Sequence, residues 1–90
     1  MASYKIGVLG GIGPEATGEF YNKLIRTFQE QGLIKHNTDF PQILINSIPA
    51  PELIYDTVED KMLESYKEGL KELDVHRPEF IVMVCNTIHL

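Results

Sequence analysis

The ninety residues predict an α/β protein: a three-stranded parallel sheet of order 2-1-3 with helices on both faces, a flavodoxin-like half-domain. Two observations carry this. Three short apolar runs read as strands without the polar alternation of a one-sided sheet, which suits strands covered on both faces. Between them lie two amphipathic stretches with helical periodicity, so the chain alternates β-α-β-α-β without repeats or linkers.

The first strand is predicted over Tyr4 to Leu9, followed by a loop Gly10-Gly11-Ile12-Gly13. Pro14 suits a first helical position, because the N–H it lacks would have no intrahelical partner there. Ala16, Phe20, Leu24 and Phe28, with Ile25 beside them, mark one face of a helix that ends near Gly32, a residue suited to a helix C-terminus. Gln42 to Ser47 is the second strand, and Pro49 and Pro51 break the next segment into a loop. A second helix is expected from Asp56 or Thr57, where Asp56 and Glu59 have capping-box spacing. Its buried stripe is Val58, Met62, Tyr66, Leu70 and Leu73. His76-Arg77-Pro78 ends it, and Phe80 to Val84 forms the third strand.

Right-handed crossovers in a 2-1-3 sheet place the two helices on opposite faces and the switch point between strands one and three. The crevice at the carboxyl ends of those strands is where open α/β sheets bind ligands. It should bring the glycine loop, residues 10 to 13, next to Cys85, Asn86 and Thr87.

Composition excludes several function classes. The chain is 43% hydrophobic and 23% charged, which describes a folded globular protein. Net charge is -5 and the lysines are scattered, so neither nucleic acid nor an anionic membrane is an expected partner. No apolar run reaches the ~20 residues that span a bilayer. Charged Lys5 precedes a short glycine-rich strand-turn rather than a cleavable apolar stretch, so no signal peptide is expected. The single cysteine cannot form an internal disulfide, and a reducing cytoplasm is the expected location.

Gly11-Ile12-Gly13-Pro14-Glu15-Ala16 formally matches a dinucleotide fingerprint. The second strand, however, ends in Asn46-Ser47-Ile48 with no acid to hold a ribose, and Glu15 puts negative charge where a pyrophosphate would lie. No Walker lysine follows. Two readings of the loop remain open: a backbone nest for a small carboxylate, or a tight turn that needs glycine torsions. Cys85 also has two readings. It is a buried structural thiol, or it is a base or nucleophile whose thiolate, at a reference pKa of about 8.5, is stabilised by local donors or a helix N-terminus. Its place at the end of an apolar strand and the polar residues after it argue against the structural reading and leave the two open. His36 and His76 fall in predicted turns, and no His/Cys/Asp cluster has metal-ligand spacing, so no metal is expected.

Two segments resemble one family. Gly7-Val8-Leu9-Gly10-Gly11-Ile12-Gly13-Pro14-Glu15-Ala16-Thr17 looks like the opening of the aspartate/glutamate racemases, and Met83-Val84-Cys85-Asn86-Thr87-Ile88-His89 looks like their first catalytic motif. The two are in register, and the resemblance covers the whole chain. It implies a cofactor-independent racemase, with neither pyridoxal phosphate nor metal, built from two similar α/β halves. Residues 1–90 would then be a single α/β domain, the N-terminal portion of a two-domain enzyme. Two thiols on opposite faces of a small acidic amino acid or related carboxylate exchange its α-proton. By the same resemblance Cys85 is the first catalytic cysteine, and Asn86 and Thr87 hold the α-carboxylate. Ile12 and Gly13 line the site, Thr57 matches a position that faces the ligand in some members, and His89 has a supporting role.

Two departures stand out. The loop Ile48-Pro49-Ala50-Pro51-Glu52-Leu53 lacks the arginine with which many aspartate-specific members grip the distal carboxylate; the only arginines are Arg26 and Arg77. That pattern looks more like broader-specificity members. The second thiol is also missing, since Cys85 is the one cysteine. This leaves two alternatives: a one-thiol relative such as a decarboxylase or cis-trans isomerase, or a truncated, non-catalytic fragment. With no helix after it, the third strand is an apolar edge, and homo-oligomerisation is expected.

Overall fold

The structure is a computed structural model that describes residues 4–49 and 59–85. Its elements are β1 (Lys5–Ile12), α1 (Pro14–Glu30), a 3-10 turn (Asn37–Asp39), β2 (Gln42–Ser47), α2 (Glu59–Asp74) and β3 (Phe80–Cys85). The sheet is parallel throughout and its order is β2-β1-β3, as expected.

Successive residues of a strand face opposite sides of the sheet. Leu9 packs with Ile48 and with Leu73 of α2, and Leu44, Tyr66, Leu70 and Ile81 surround this cluster. The neighbouring position, Gly10, instead lies against Thr17 of α1. The helices therefore cover opposite faces. Contacts show that they are also staggered: α1 lies over β1 and β3, and α2 over β1 and β2. The central strand is the one covered twice, which explains why Ile6, Val8 and Leu9 are all buried. Phe80 and Met83 on β3 are about half exposed, at 51% and 52%.

Helix ends follow the chemistry of the sequence. Gly32 adopts a left-handed φ of 70° just after α1. There the Leu33 N–H bonds the Phe28 carbonyl and the Gly32 N–H bonds that of Gln29, which satisfies carbonyls the helix leaves open. Past α2, Arg77 takes a φ of 54° before Pro78. The Glu79 N–H then reaches the Lys5 carbonyl at 2.8 Å, and the Lys5 N–H reaches the Glu79 carboxylate at 2.8 Å, which aligns the starts of β1 and β3. The expected start of α2, with Asp56, Thr57 and Val58, lies outside the described residues.

Two strand bounds move by one residue, β1 starting at Lys5 and β3 ending at Cys85, and one moves further. β1 was expected to stop at Leu9, but it runs on through Gly10 and Gly11 to Ile12. The reason is that both neighbours continue to pair with it. Gly10 aligns with Ser47 and accepts the Ile48 N–H at 2.8 Å, and Ile12 aligns with Cys85. Glycine suggested a loop; here it allows a strand to be approached closely from three sides.

Candidate functional site at the carboxyl ends of β1 and β3

Two of the sequence-derived site positions come together in the described backbone. Ile12 and Cys85 are Cα partners across the β1–β3 pair, the last matched positions of both strands. The loop and the cysteine are more than seventy residues apart in sequence and adjacent in space, at the sheet end where ligands of α/β proteins bind. Gly13 follows at once as the N-cap of α1, with a left-handed φ of 77°. Thr57, Asn86, Thr87 and His89 lie outside the described residues.

The pairing of Ile12 with Cys85 depends on a bulge. From Leu9 to Ile12 the chain takes three steps, whereas its partner takes two, from Met83 to Cys85. One extra residue on β1 is the signature of a β-bulge. Gly11 has a φ of 110°, open to glycine and rarely to other residues, and a Cβ there would overlap the backbone of Ile48. A Cβ on Gly10 would overlap Thr17. The bulge is therefore held between the end of β2 on one side and α1 on the other.

Thr17 was not singled out by its sequence. It is 5% exposed, and its Oγ1 accepts the Gly11 N–H at 3.2 Å. A signal was present: Thr17 lies three residues before Phe20 and seven before Leu24, a polar residue on the apolar stripe of α1.

The hydrogen bonds bear on the two readings of the glycine segment. The Gly11 N–H goes to Thr17, while the Ala16 and Thr17 N–H groups go to the Gly13 carbonyl at 3.0 and 3.4 Å. Pro14 has none to give. These three amides are used within the fold. The N-terminus of α1, with its partial positive charge, still begins at the Cys85 end of the sheet, and Glu15 offsets part of that charge.

Asn46 occupies the place where a dinucleotide site would need an acid. Its side-chain amide donates to the Gly69 carbonyl at 3.1 Å and to Glu72 at 2.9 Å, so it ties β2 to α2. The nearby groove of about 450 Å³ is lined by Ile48, Pro49, Gly69 and three glutamates, Glu64, Glu68 and Glu72. Their charge disfavours an acidic ligand there. A larger groove of about 1100 Å³ lies at the opposite end of the sheet, beside Tyr4, Gln42 and Ile43, where the strands begin. Arg26 lines that far groove, and Arg77 precedes β3 at the same end, so neither arginine is near Cys85. His36 and His76 are exposed in turns, as expected, and no metal-ligating cluster occurs among the described residues.

Over 86 residues the chain is 31% identical to the broad specificity amino-acid racemase RacX of Bacillus subtilis (strain 168). The match takes in 94% of this chain. This chain is related to an amino-acid racemase. It spans 38% of the length of that relative, so the match concerns a part of the longer protein. No protein-family model matches the chain, and no solved structure does. Among the described residues, no helix is long and apolar enough to cross a membrane.

Proposed function

We propose that this chain forms the N-terminal portion of a cofactor-independent amino-acid racemase of the aspartate/glutamate type, with Cys85 as one of two thiol acid/bases. The observation that carries the reading is the racemase relationship over 94% of the chain. The adjacency of Ile12 and Cys85 at the carboxyl end of the sheet supports it, because that end is where a substrate would lie.

In this mechanism a thiolate on one face takes the α-proton, and a thiol on the other face gives a proton to the resulting carbanion. The configuration inverts, and the two sulfurs exchange protonation states. Cys85 supplies one of them, Asn86 and Thr87 hold the α-carboxylate, Ile12 and Gly13 wall the site, and Thr57 faces the ligand. The substrate is a small acidic amino acid or related carboxylate. The loop without arginine and the broad specificity in the relative's name both support tolerance at the distal group over strict selection of aspartate. The protein works in the cytoplasm and self-associates through the β3 side, where Phe80 and Met83 are exposed. Sedimentation that does not change with concentration would count against that association.

The experiment is α-proton exchange in deuterated water with a panel of amino acids. In the protein that carries the second thiol, Cys85→Ala should abolish exchange and inversion, and retained activity would return Cys85 to a structural role. The ninety-residue chain alone should not racemise, since opposed proton transfers need two positioned groups. Racemisation by it that Cys85→Ser removes would overturn that inactivity and point to a symmetric dimer that sets two Cys85 thiols across one ligand. A one-thiol decarboxylase or cis-trans isomerase is the other reading. Product formed without inversion at the α-carbon would select it.

A further inference from the structure

We infer that Thr17 is a positioning residue for the proposed site: its hydroxyl holds the bulge of β1 that sets Ile12 beside Cys85. This role rests on the Cys85 site proposed above for its purpose, and on the geometry of β1 for its operation.

Consider β1 without the bulge. The register Leu9↔Met83 would continue to Gly10↔Val84 and Gly11↔Cys85. Glycine rather than isoleucine would then lie beside the cysteine, and every later position would move by one residue, which in a strand exchanges the two faces. Gly13 and the start of α1 would move with it.

Three contacts oppose that slip. The Ile48 N–H holds the Gly10 carbonyl at 2.8 Å from the β2 side. The backbone of Ile48 fills the space where a side chain on Gly11 would be. On the third side Thr17 Oγ1 takes the Gly11 N–H at 3.2 Å. A bulge leaves its extra residue out of the ladder, and even a part-buried amide with no partner costs stability. Thr17 supplies that partner from another element. Thr17 is also the only buried polar residue among those described. Valine has nearly the same shape and would fill the same space, so packing alone does not call for the hydroxyl.

The test uses the ninety-residue chain with Thr17→Val and Thr17→Ser. Cross-strand nuclear Overhauser contacts report register directly, and alkylation by iodoacetamide reports one thiol, because Cys85 is the only cysteine. Thr17→Val should lose the Ile12–Cys85 contact and keep those of Ile6–Phe80 and Val8–Val82. The Cys85 alkylation rate should also differ from that of the unaltered chain, because the cysteine then stands beside Gly11 in place of Ile12. Thr17→Ser should restore both. A residue that only stabilised the fold would lower the unfolding midpoint and leave both readouts unchanged below it, and that result overturns the role. If Thr17→Val does not fold, hydrogen exchange in the unaltered chain decides. The Gly11 amide should be protected to the level of the β1–β2 ladder, and an unprotected amide overturns the role. The two readings fail separately. Absent α-proton exchange sinks the racemase assignment, whereas unchanged register and alkylation sink the role of Thr17.

Discussion

Strand β1 meets β2 and β3 along the same stretch of backbone but in two ways. Against β2 the register runs unbroken from Lys5↔Gln42 to Gly10↔Ser47. Against β3 it shifts between Leu9 and Ile12. The regular side is backed by α2 through Leu9, Ile48 and Leu73, and serves stability. The irregular side ends at Cys85. One strand thus does two jobs: it builds a core with one neighbour and re-aims its last residues toward a candidate site with the other. Bulges beside functional sites are a recurring device for this.

The largest effect should come from breaking the irregular side. Gly11→Ala forces a side chain into Ile48 and onto a φ of 110°. Strain and overpacking together should cost at least ~3 kcal/mol, a large share of the ~5–15 kcal/mol that holds a typical domain. Urea unfolding measures it, and a loss under ~1 kcal/mol would mean the bulge relaxes freely. On the regular side, Gly69→Ala puts a Cβ 2.6 Å from Leu9 Cδ1, a clash with the end of a flexible side chain. A loss of about 1–3 kcal/mol is expected, with the Ile12–Cys85 contact intact by nuclear Overhauser measurement. If Gly69→Ala disturbed that contact as Gly11→Ala does, the two sides of β1 would not be separable.

Gly18 is the control, on the solvent side of α1 with nothing within 4 Å of an added Cβ. Gly18→Ala should raise the urea midpoint by the equivalent of about 0.5–1 kcal/mol, because glycine is a poor residue in a helix interior. A loss would show that this face of α1 is covered in solution.

The smallest effect belongs to Asp39, remote from both sides. Its carboxylate accepts the His36 N–H at 2.9 Å and the Lys35 N–H at 3.0 Å, and these bonds hold its pKa below the ordinary carboxylate value, His36 contributing most. The folded pKa is the lower one. The contribution is therefore present above the ordinary carboxylate pKa and is lost as pH falls through the depressed value. The Lys35 and His36 amide shifts should titrate together in that acid range, while those of Gly10 to Ile12 stay fixed. Movement of the bulge amides with Asp39 would join regions that the fold keeps apart.

Much of this architecture was legible in the sequence because its signals are local. The stripe of α1, and that of α2 over Tyr66, Leu70 and Leu73, are repeats of apolar residues, and Gly32 marks a helix end because few other residues adopt its torsion. The bounds of β2 are readable from Gln42 to Ser47 alone. The site was legible more coarsely. Strand order and crossover handedness put the glycine segment beside Cys85, and Ile12 does align with it. The missed features, Gly69 and Thr17, matter because of the groups that lie across from them. Gly69 admits Leu9 and the Asn46 amide to the surface of α2, and nothing near position 69 announces that.

The sequence by itself determined which segments become strands and helices, that the sheet is parallel, and which of its ends holds the cysteine. Periodicity and turn chemistry act over a few residues, and chain handedness does the rest. Tertiary structure alone decided how far β1 extends and which of its residues stands beside Cys85. The physical reason is hydrogen bonding across elements. Gly10 and Gly11 tolerate both a loop and a strand, and their choice is made by the Ile48 amide, the Thr17 hydroxyl and the pairing of Ile12 with Cys85, partners that arrive from three different segments.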